Sequence, residues 1–253
     1  MERNPENSVR AIRVGIEEGA NHIDTAEMYG DGRVEEIVGE AIKGIRDQVF
    51  LVSKVLPSHS AYKNVLAACE GSLKHLHVDY LDVYLLHWRD RRTPLEQTFR
   101  AFEKLKSDGK IRAWGVSNFN VKDMEEAVAL VGEGKIVCNQ VYYSIKERAV
   151  EVELLPWCRK HDVSLVAYSP LGQDQLPDHQ VLDDVAKELD ATPAQVALAF
   201  LIRNHDVIAI PKSSDAQRTR ENVRAMKIRL NQDQIRRLDQ VFPCKPRRSL
   251  PMI

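Results

Sequence analysis

The sequence predicts an α/β fold of parallel strands, and three observations carry that reading. Short β-branched or aromatic runs alternate with longer segments of helical period, and the alternation persists to the end of the chain. No GxGxxG follows any apolar run. Polar, chemistry-bearing residues stand at the ends of several different strand candidates, not around a single crevice. A repeating β-then-α order implies parallel strands joined by right-handed crossovers, which admits an open doubly wound sheet or a closed barrel. The second and third observations favour the barrel, a TIM-type (β/α)8 architecture. Only seven strands are evident.

Strands are expected near Asn21–Thr25, Val49–Val55, Leu81–His87, Arg112–Ser117, Val137–Tyr142, Ser164–Tyr168 and Val207–Pro211. Apolar residues at helical spacing fall before and between them: Val9, Ile12 and Ile16; Ile37, Val38 and Ile42; Val65, Cys69, Leu73 and Leu76; Leu95, Phe99, Phe102 and Leu105. Further helical patterns cover Met124–Val131, Glu151–Arg159, Val181–Leu189, Pro193–Ile202, Asp215–Ala225 and Gln232–Val241. No Pro/Gly/Ser linker or shift of composition divides the chain. A single barrel domain over residues 1–253 is expected, since α/β barrels of this length fold as one unit.

The charge is balanced, with 36 basic and 37 acidic residues and a net charge of −1. No run of either sign argues for nucleic acid or a membrane surface as partner. No apolar run reaches the roughly 20 residues that span a bilayer. Cys69, Cys138, Cys158 and Cys244 are far apart with no CxxC spacing, and MERNPENSVR lacks the apolar stretch of a signal peptide. A reduced, cytoplasmic protein without a metal cluster is expected. Cys69 and Cys158 lie in amphipathic patterns and read as small core residues.

The chemistry is concentrated in HIDTAEMY, VFLVSKV and LDVYLLHW, which place Asp24, Tyr29, Lys54 and His87 at or just beyond the ends of three successive strands. Buried ionisable groups are costly unless paired. If the four converge, Lys54 beside Asp24 satisfies both charges, and the cation lowers the Tyr29 phenol from its free pKa of about 10. Tyr29 then serves as a general acid, and His87 holds a substrate carbonyl. Singly, each has a plain structural reading: Asp24 and Thr25 as a helix cap, Tyr29-Gly30-Asp31-Gly32 as a tight turn, Lys54 as a snorkelling side chain, His87 as a satisfied core residue. The set contains no nucleophile, metal cluster or phosphate-gripping Gly loop. A hydride from a bound cofactor fits that omission.

The runs IDTAEMYG, SKV, LLHW, GVSNF, NQVYYS, AYSPLG and IPKSSDAQRTREN, in this order and spacing, resemble the aldo-keto reductase superfamily of bacterial or archaeal type. The resemblance covers nearly the whole chain. It implies an NADPH-dependent carbonyl reductase with Tyr29 as proton donor, Lys54 and Asp24 tuning it, and His87 orienting the carbonyl. It implies that Ser117, Asn118 and Gln140 grip the nicotinamide carboxamide, that Tyr168 stacks on the ring, and that Ser169, Leu171 and Gly172 open the loop over the pyrophosphate. In PKSSDAQRTREN, Pro211, Lys212, Ser213, Ser214 and Arg218 surround a helix start, a favourable place for phosphate. Two cations and two hydroxyls suit a 2′-phosphate, so NADP(H) is expected over NAD(H), with Glu221 and Asn222 resembling adenine contacts.

The expected partner is a small aldehyde, ketone or sugar-type carbonyl. Trp88 resembles the aromatic wall of the family's pocket, and Met28 and Leu56 would add apolar lining. Arg89, Arg91 and Arg92 read as a solvated loop in preference to an anion receptor. The tail CKPRRSLPMI is expected to fold toward the pocket mouth, and the usual form of relatives suggests a monomer. The resemblance also implies a first barrel strand, and no β-run precedes Asn21–Thr25. A barrel short by one stave, with unpaired backbone on its two edge strands and weak stability, is therefore expected. Barrels of this superfamily also serve as channel subunits, which makes a non-catalytic or weakly active NADP(H)-binding regulatory protein the alternative.

Overall fold

The computed structural model describes residues 4–173, 176–247 and 249–252. Seven parallel strands lie in strict sequence order in one sheet: β1 (His22–Asp24), β2 (Phe50–Val55), β3 (Leu81–Leu86), β4 (Ile111–Ser117), β5 (Ile136–Tyr142), β6 (Ser164–Tyr168) and β7 (Val207–Ile210). All seven expected strands form, with ends that shift by a residue or so. Ten α-helices accompany them among the described residues: α1 (Pro5–Glu17), α2 (Arg33–Ile42), α3 (Tyr62–Leu76), α4 (Leu95–Ser107), α5 (Val121–Val131), α6 (Leu154–Lys160), α7 (Gln180–Glu188), α8 (Pro193–Ile202), α9 (Ala216–Arg224) and α10 (Gln232–Val241).

Alternation along each strand sorts the side chains into two cores. Leu51 and Val55 of β2, Tyr84 and Leu86 of β3, Trp114 and Val116 of β4, and Leu165 and Ala167 of β6 face the helices and join the main apolar cluster. Val52, Val83, Leu85, Cys138 and Val166 form a second, smaller cluster, with Ala113 and Ile210 against it. These residues share the inner face, and the same alternation puts His22, Asp24, Lys54 and Gln140 there too. Gly115 lies where a Cβ would come within 2.5 Å of Cys138 O. The β4–β5 register shifts beside it, between Trp114 and Val116.

The barrel is nearly closed. The sheet begins at β1 and ends at β7, and no ladder joins those two strands among the described residues. Two helices start three residues away from their expected spans: α5 begins at Val121, where Asn120 caps it, and α6 begins at Leu154, because Ala149–Glu151 form a separate 3-10 turn. Glu151 is held there by Arg148 Nε at 2.9 Å and by the Tyr143 hydroxyl. No helix among the described residues is long and apolar enough to cross a membrane.

Candidate active site

In a parallel barrel every strand delivers its last residues to the same end. Asp24 ends β1, Lys54 lies one residue from the end of β2, and His87 follows β3 directly. Lys54 is fully buried, and its ammonium donates to Asp24 Oδ1 and, at 2.8 Å, to Thr25 O. Its Nζ lies 5.2 Å from the centroid of the Tyr29 ring. Tyr29 meets His87 edge to face, with ring centroids 5.8 Å apart and planes at 86°. The four residues of the expected tetrad therefore share one site. Among the described residues the Tyr29 hydroxyl makes no hydrogen bond, so its proton is uncommitted.

Burial first, and the nearby Lys54 charge second, push the His87 imidazole down to about 4. It is neutral near pH 7, and its Nδ1 is buried without a partner in the described structure. Thr25 was not anticipated from the sequence, because it acts through its backbone carbonyl. Gln140 also does more than expected: its Nε2 donates to Asp24 Oδ2 at 2.8 Å. Asp24 is thus clamped from β2 and β5 together.

Around this centre the strand ends carry the other expected residues. Ser117 Oγ donates to Gln140 O at 2.8 Å, and Asn118 Nδ2 donates to Ser117 Oγ at 3.1 Å and to His87 O at 3.2 Å. Asn118 has φ +61° and Ser169 has φ +46°, left-handed conformations that mark sharp turns leaving β4 and β6. Tyr168 Oη donates to Asn118 Oδ1 at 2.9 Å, and its ring stacks on Tyr142 with centroids 5.9 Å apart. Leu171 and Gly172 continue this loop, with Gly172 at φ +84°.

Pro211 follows β7, and Lys212, Ser213 and Ser214 lead to the start of α9. Ser213 Oγ pairs with the backbone of Asp215, and the Asp215 carboxylate caps the helix by accepting from Arg218 N at 2.8 Å. One of the free N–H groups expected at this helix start is therefore already taken. Glu221 accepts from Gln217 through its side chain and from Gln195 through its backbone, and Asn222 sits beside it half-buried.

Trp88 packs on His87 with centroids 4.9 Å apart, Leu56 is half-buried, and Met28 is 40 % exposed. Arg89 is not a solvated loop residue as expected. Its guanidinium donates to both carboxylate oxygens of Glu126 at 2.7 Å and to Asp123 at 2.8 Å, tying the segment after His87 to α5. Arg91 and Arg92 are exposed. The tail packs against the segment after β5, where Cys244 Sγ contacts Arg148 O at 3.2 Å and Arg247 pairs with Glu147 at 2.5 Å. A concavity of about 800 Å3 between α1, α2 and Arg220 of α9 lies elsewhere, lined by four arginines and four glutamates together with Pro5, Val9, Val14 and Ile37.

The model of the Aldo/keto reductase family matches residues 2–242. The chain belongs to that family. It is 42 % identical over 251 residues to a methylglyoxal reductase of Escherichia coli, covering 97 % of this chain and 88 % of that one. It is 39 % identical over 239 residues to a glyoxal reductase of Bacillus subtilis, covering 93 % of this chain and 84 % of that one. Among solved structures, an aldo/keto reductase of Klebsiella pneumoniae in complex with NADP and acetate superposes with a TM-score of 0.96 at 42 % identity, covering 100 % of this chain and 91 % of that chain.

In this aldo/keto reductase the strand ends thus present, in series, an uncommitted phenol beside a buried ammonium, a neutral imidazole, a flat aromatic face and a basic helix start. Those are the pieces that carbonyl reduction with a dinucleotide needs. Among the described residues no group of side chains suits a metal ion.

Proposed function

We propose that the protein is an NADPH-dependent reductase of small aldehydes and ketones, with α-dicarbonyls of the methylglyoxal and glyoxal type as its first candidate substrates. The reading treats residues 1–253 as one catalytic barrel domain, monomeric and cytoplasmic. A single observation carries it: the Tyr29 hydroxyl is uncommitted, and its ring sits against both Lys54 and His87.

When bound, NADPH would supply the hydride. Tyr29 delivers a proton to the carbonyl oxygen, and the Lys54 ammonium stabilises the negative charge that develops on the phenol. Asp24 and Thr25 O hold Lys54 in place, so that charge is already oriented before reaction. Neutral His87 offers an N–H to the same oxygen without competing as the acid. Trp88, Leu56 and Met28 line the approach with apolar surface. Ser117, Asn118 and Gln140 would hold the carboxamide and Tyr168 the ring face. Ser169, Leu171 and Gly172 would cover the pyrophosphate, and Glu221 and Asn222 would hold the adenine.

Lys212 and Arg218 with Ser213 and Ser214 suit a 2′-phosphate, the basis for preferring NADPH to NADH. Arg218→Ala is expected to raise KM for NADPH about ten-fold while leaving NADH almost unaffected.

The direct test follows NADPH absorbance with methylglyoxal, glyoxal and a panel of simple aldehydes. Tyr29→Phe removes the acid and keeps the pocket shape, so kcat is expected to fall by about 10²–10⁴-fold with NADPH binding unchanged. Full turnover by that variant would show the assigned mechanism to be wrong.

A further inference from the structure

The hydrogen bonds already made at the nicotinamide end decide what each polar side chain still has to offer. Ser117 Oγ both donates, to Gln140 O, and accepts, from Asn118 Nδ2. The Asn118 amide uses both its N–H groups, on Ser117 Oγ and His87 O, and its oxygen accepts from Tyr168 Oη. Gln140 differs. Its side chain is buried, its Nε2 donates to Asp24 Oδ2, and its Oε1 makes no hydrogen bond among the described residues.

An ionised carboxylate only accepts, so Asp24 admits only the NH2 end of the Gln140 amide. The other oxygen of Asp24 is occupied by Lys54. The amide of Gln140 is therefore held with its carbonyl turned away from Asp24, as a bare acceptor. Flipping it would set Oε1 against a carboxylate in a buried site, a repulsion with nothing to offset it.

We infer that Asp24 is a positioning residue for the cofactor as well as the partner of Lys54. Through Gln140 it fixes a carbonyl acceptor for the nicotinamide carboxamide, so that the site selects a ring substituent that donates an N–H. This rests on the NADPH reading above and adds a second task for a tetrad residue, exerted through β5. A neutral side chain at position 24 that both donates and accepts would free the Gln140 amide to turn over, and the selection would weaken without any contact to the cofactor being removed.

The test compares dissociation constants for NADPH and for its 3-acetylpyridine analogue, which carries a methyl group in place of the amide NH2. Quenching of protein fluorescence reads both, for the unmodified protein, Asp24→Asn, Gln140→Met and the double variant. The unmodified protein is expected to prefer NADPH about ten-fold, the value of one buried hydrogen bond. Each single variant should bring that preference to about two-fold or less, and the double should fall no lower than Gln140→Met alone, because the two act as one unit. Asp24→Ser, whose hydroxyl also donates and accepts, should behave as Asp24→Asn does. Adenosine 2′,5′-bisphosphate, which lacks the nicotinamide half, reports whether each variant keeps its fold.

Equal binding of the two cofactors by the unmodified protein would overturn the inference. So would full preference retained in both position-24 variants, or losses that add in the double variant. Because the readout is binding, it stands apart from turnover. A chain that binds NADPH with this selection but reduces no carbonyl would sink the proposed function and leave the inference standing. Failure to bind NADPH would overturn both.

Discussion

His87 sits almost wholly buried beside the Lys54 ammonium, and both features push its imidazole down to about 4 from an ordinary 6.5. Between those values the unfolded chain binds a proton that the folded chain refuses. Stability therefore rises with pH across that window, is fully present above about 6.5, and is lost as pH falls toward 4. The loss is on the order of 3 kcal/mol for this one group. His87→Asn should abolish this part of the acid slope. Urea unfolding at several pH values should show the gap in stability between the two proteins narrowing as pH drops, and parallel curves would refute the assignment. Asp24, Lys54 and His87 were legible in the sequence because each stands at the end of a strand-like run, and Tyr29 through the motif IDTAEMYG. Thr25 and the Gln140–Asp24 bond were not, because a backbone carbonyl and a partner 116 positions away leave no local trace.

Strands were legible for the same reason: β-branched runs bounded by helical periods leave little freedom in where a strand lies. Less legible was what ties them together at the end opposite the tetrad. Asp82 of β3, 4 % exposed, accepts from Leu51 N at 2.9 Å, Arg46 at 2.8 Å and Arg112 at 2.9 Å. Both guanidinium groups also lie 4.2 Å from the Tyr80 ring centroid. One carboxylate thus joins β2, β3, β4 and the 3-10 turn Arg46–Gln48, four segments whose charges look unrelated in sequence. Removing it leaves the buried Leu51 N–H without its acceptor and strips the partly buried Arg46 guanidinium of its carboxylate, with only the Val49 and Tyr80 carbonyls left to it. Asp82→Ala is expected to cost about 3 kcal/mol in chemical denaturation. Turnover per folded molecule should be unchanged, since conserving the site at the other end of the strands does not depend on this carboxylate. A large fall in kcat with unaltered stability would contradict this division between ends. The α2–α3 contact is similarly tight: a Cβ on Gly39 would come within 2.6 Å of Leu76 O, so Gly39→Ala should destabilise by about 1–3 kcal/mol through overpacking.

Across the whole molecule, a sheet of seven staves that starts at β1 and stops at β7 carries Asp24, one of the four proposed catalytic residues, on one edge strand and its basic helix start just beyond the other. Asp24 ends β1 and Lys212 follows β7, so a dinucleotide running from the tetrad to α9 would contact both sides of the opening. The α/β class followed from alternation, and the barrel from the lack of GxGxxG and the spread of polar strand ends, whereas the approach of Asp24 and Lys212 across the opening depends on barrel curvature and left no local trace. Its consequence is a linkage between cofactor and global stability. A ligand that binds only the folded chain stabilises it by RT ln(1 + [L]/Kd), about 2.7 kcal/mol at one hundred times Kd. For a chain of this size that corresponds to a rise of roughly 5–10 °C in Tm. Such a rise is expected with NADPH and should grow with the logarithm of its concentration. NADH should need a higher concentration to match it, because it lacks the phosphate that Lys212 and Arg218 would meet. Arg218→Ala should bring the two cofactors' curves together, since it removes charge from the far side of the opening and leaves the nicotinamide end intact. If NADPH raised Tm no more than NADH at equal concentration, the 2′-phosphate would have no counterpart at α9, and the preference for NADPH would have to be abandoned while the tetrad chemistry stood.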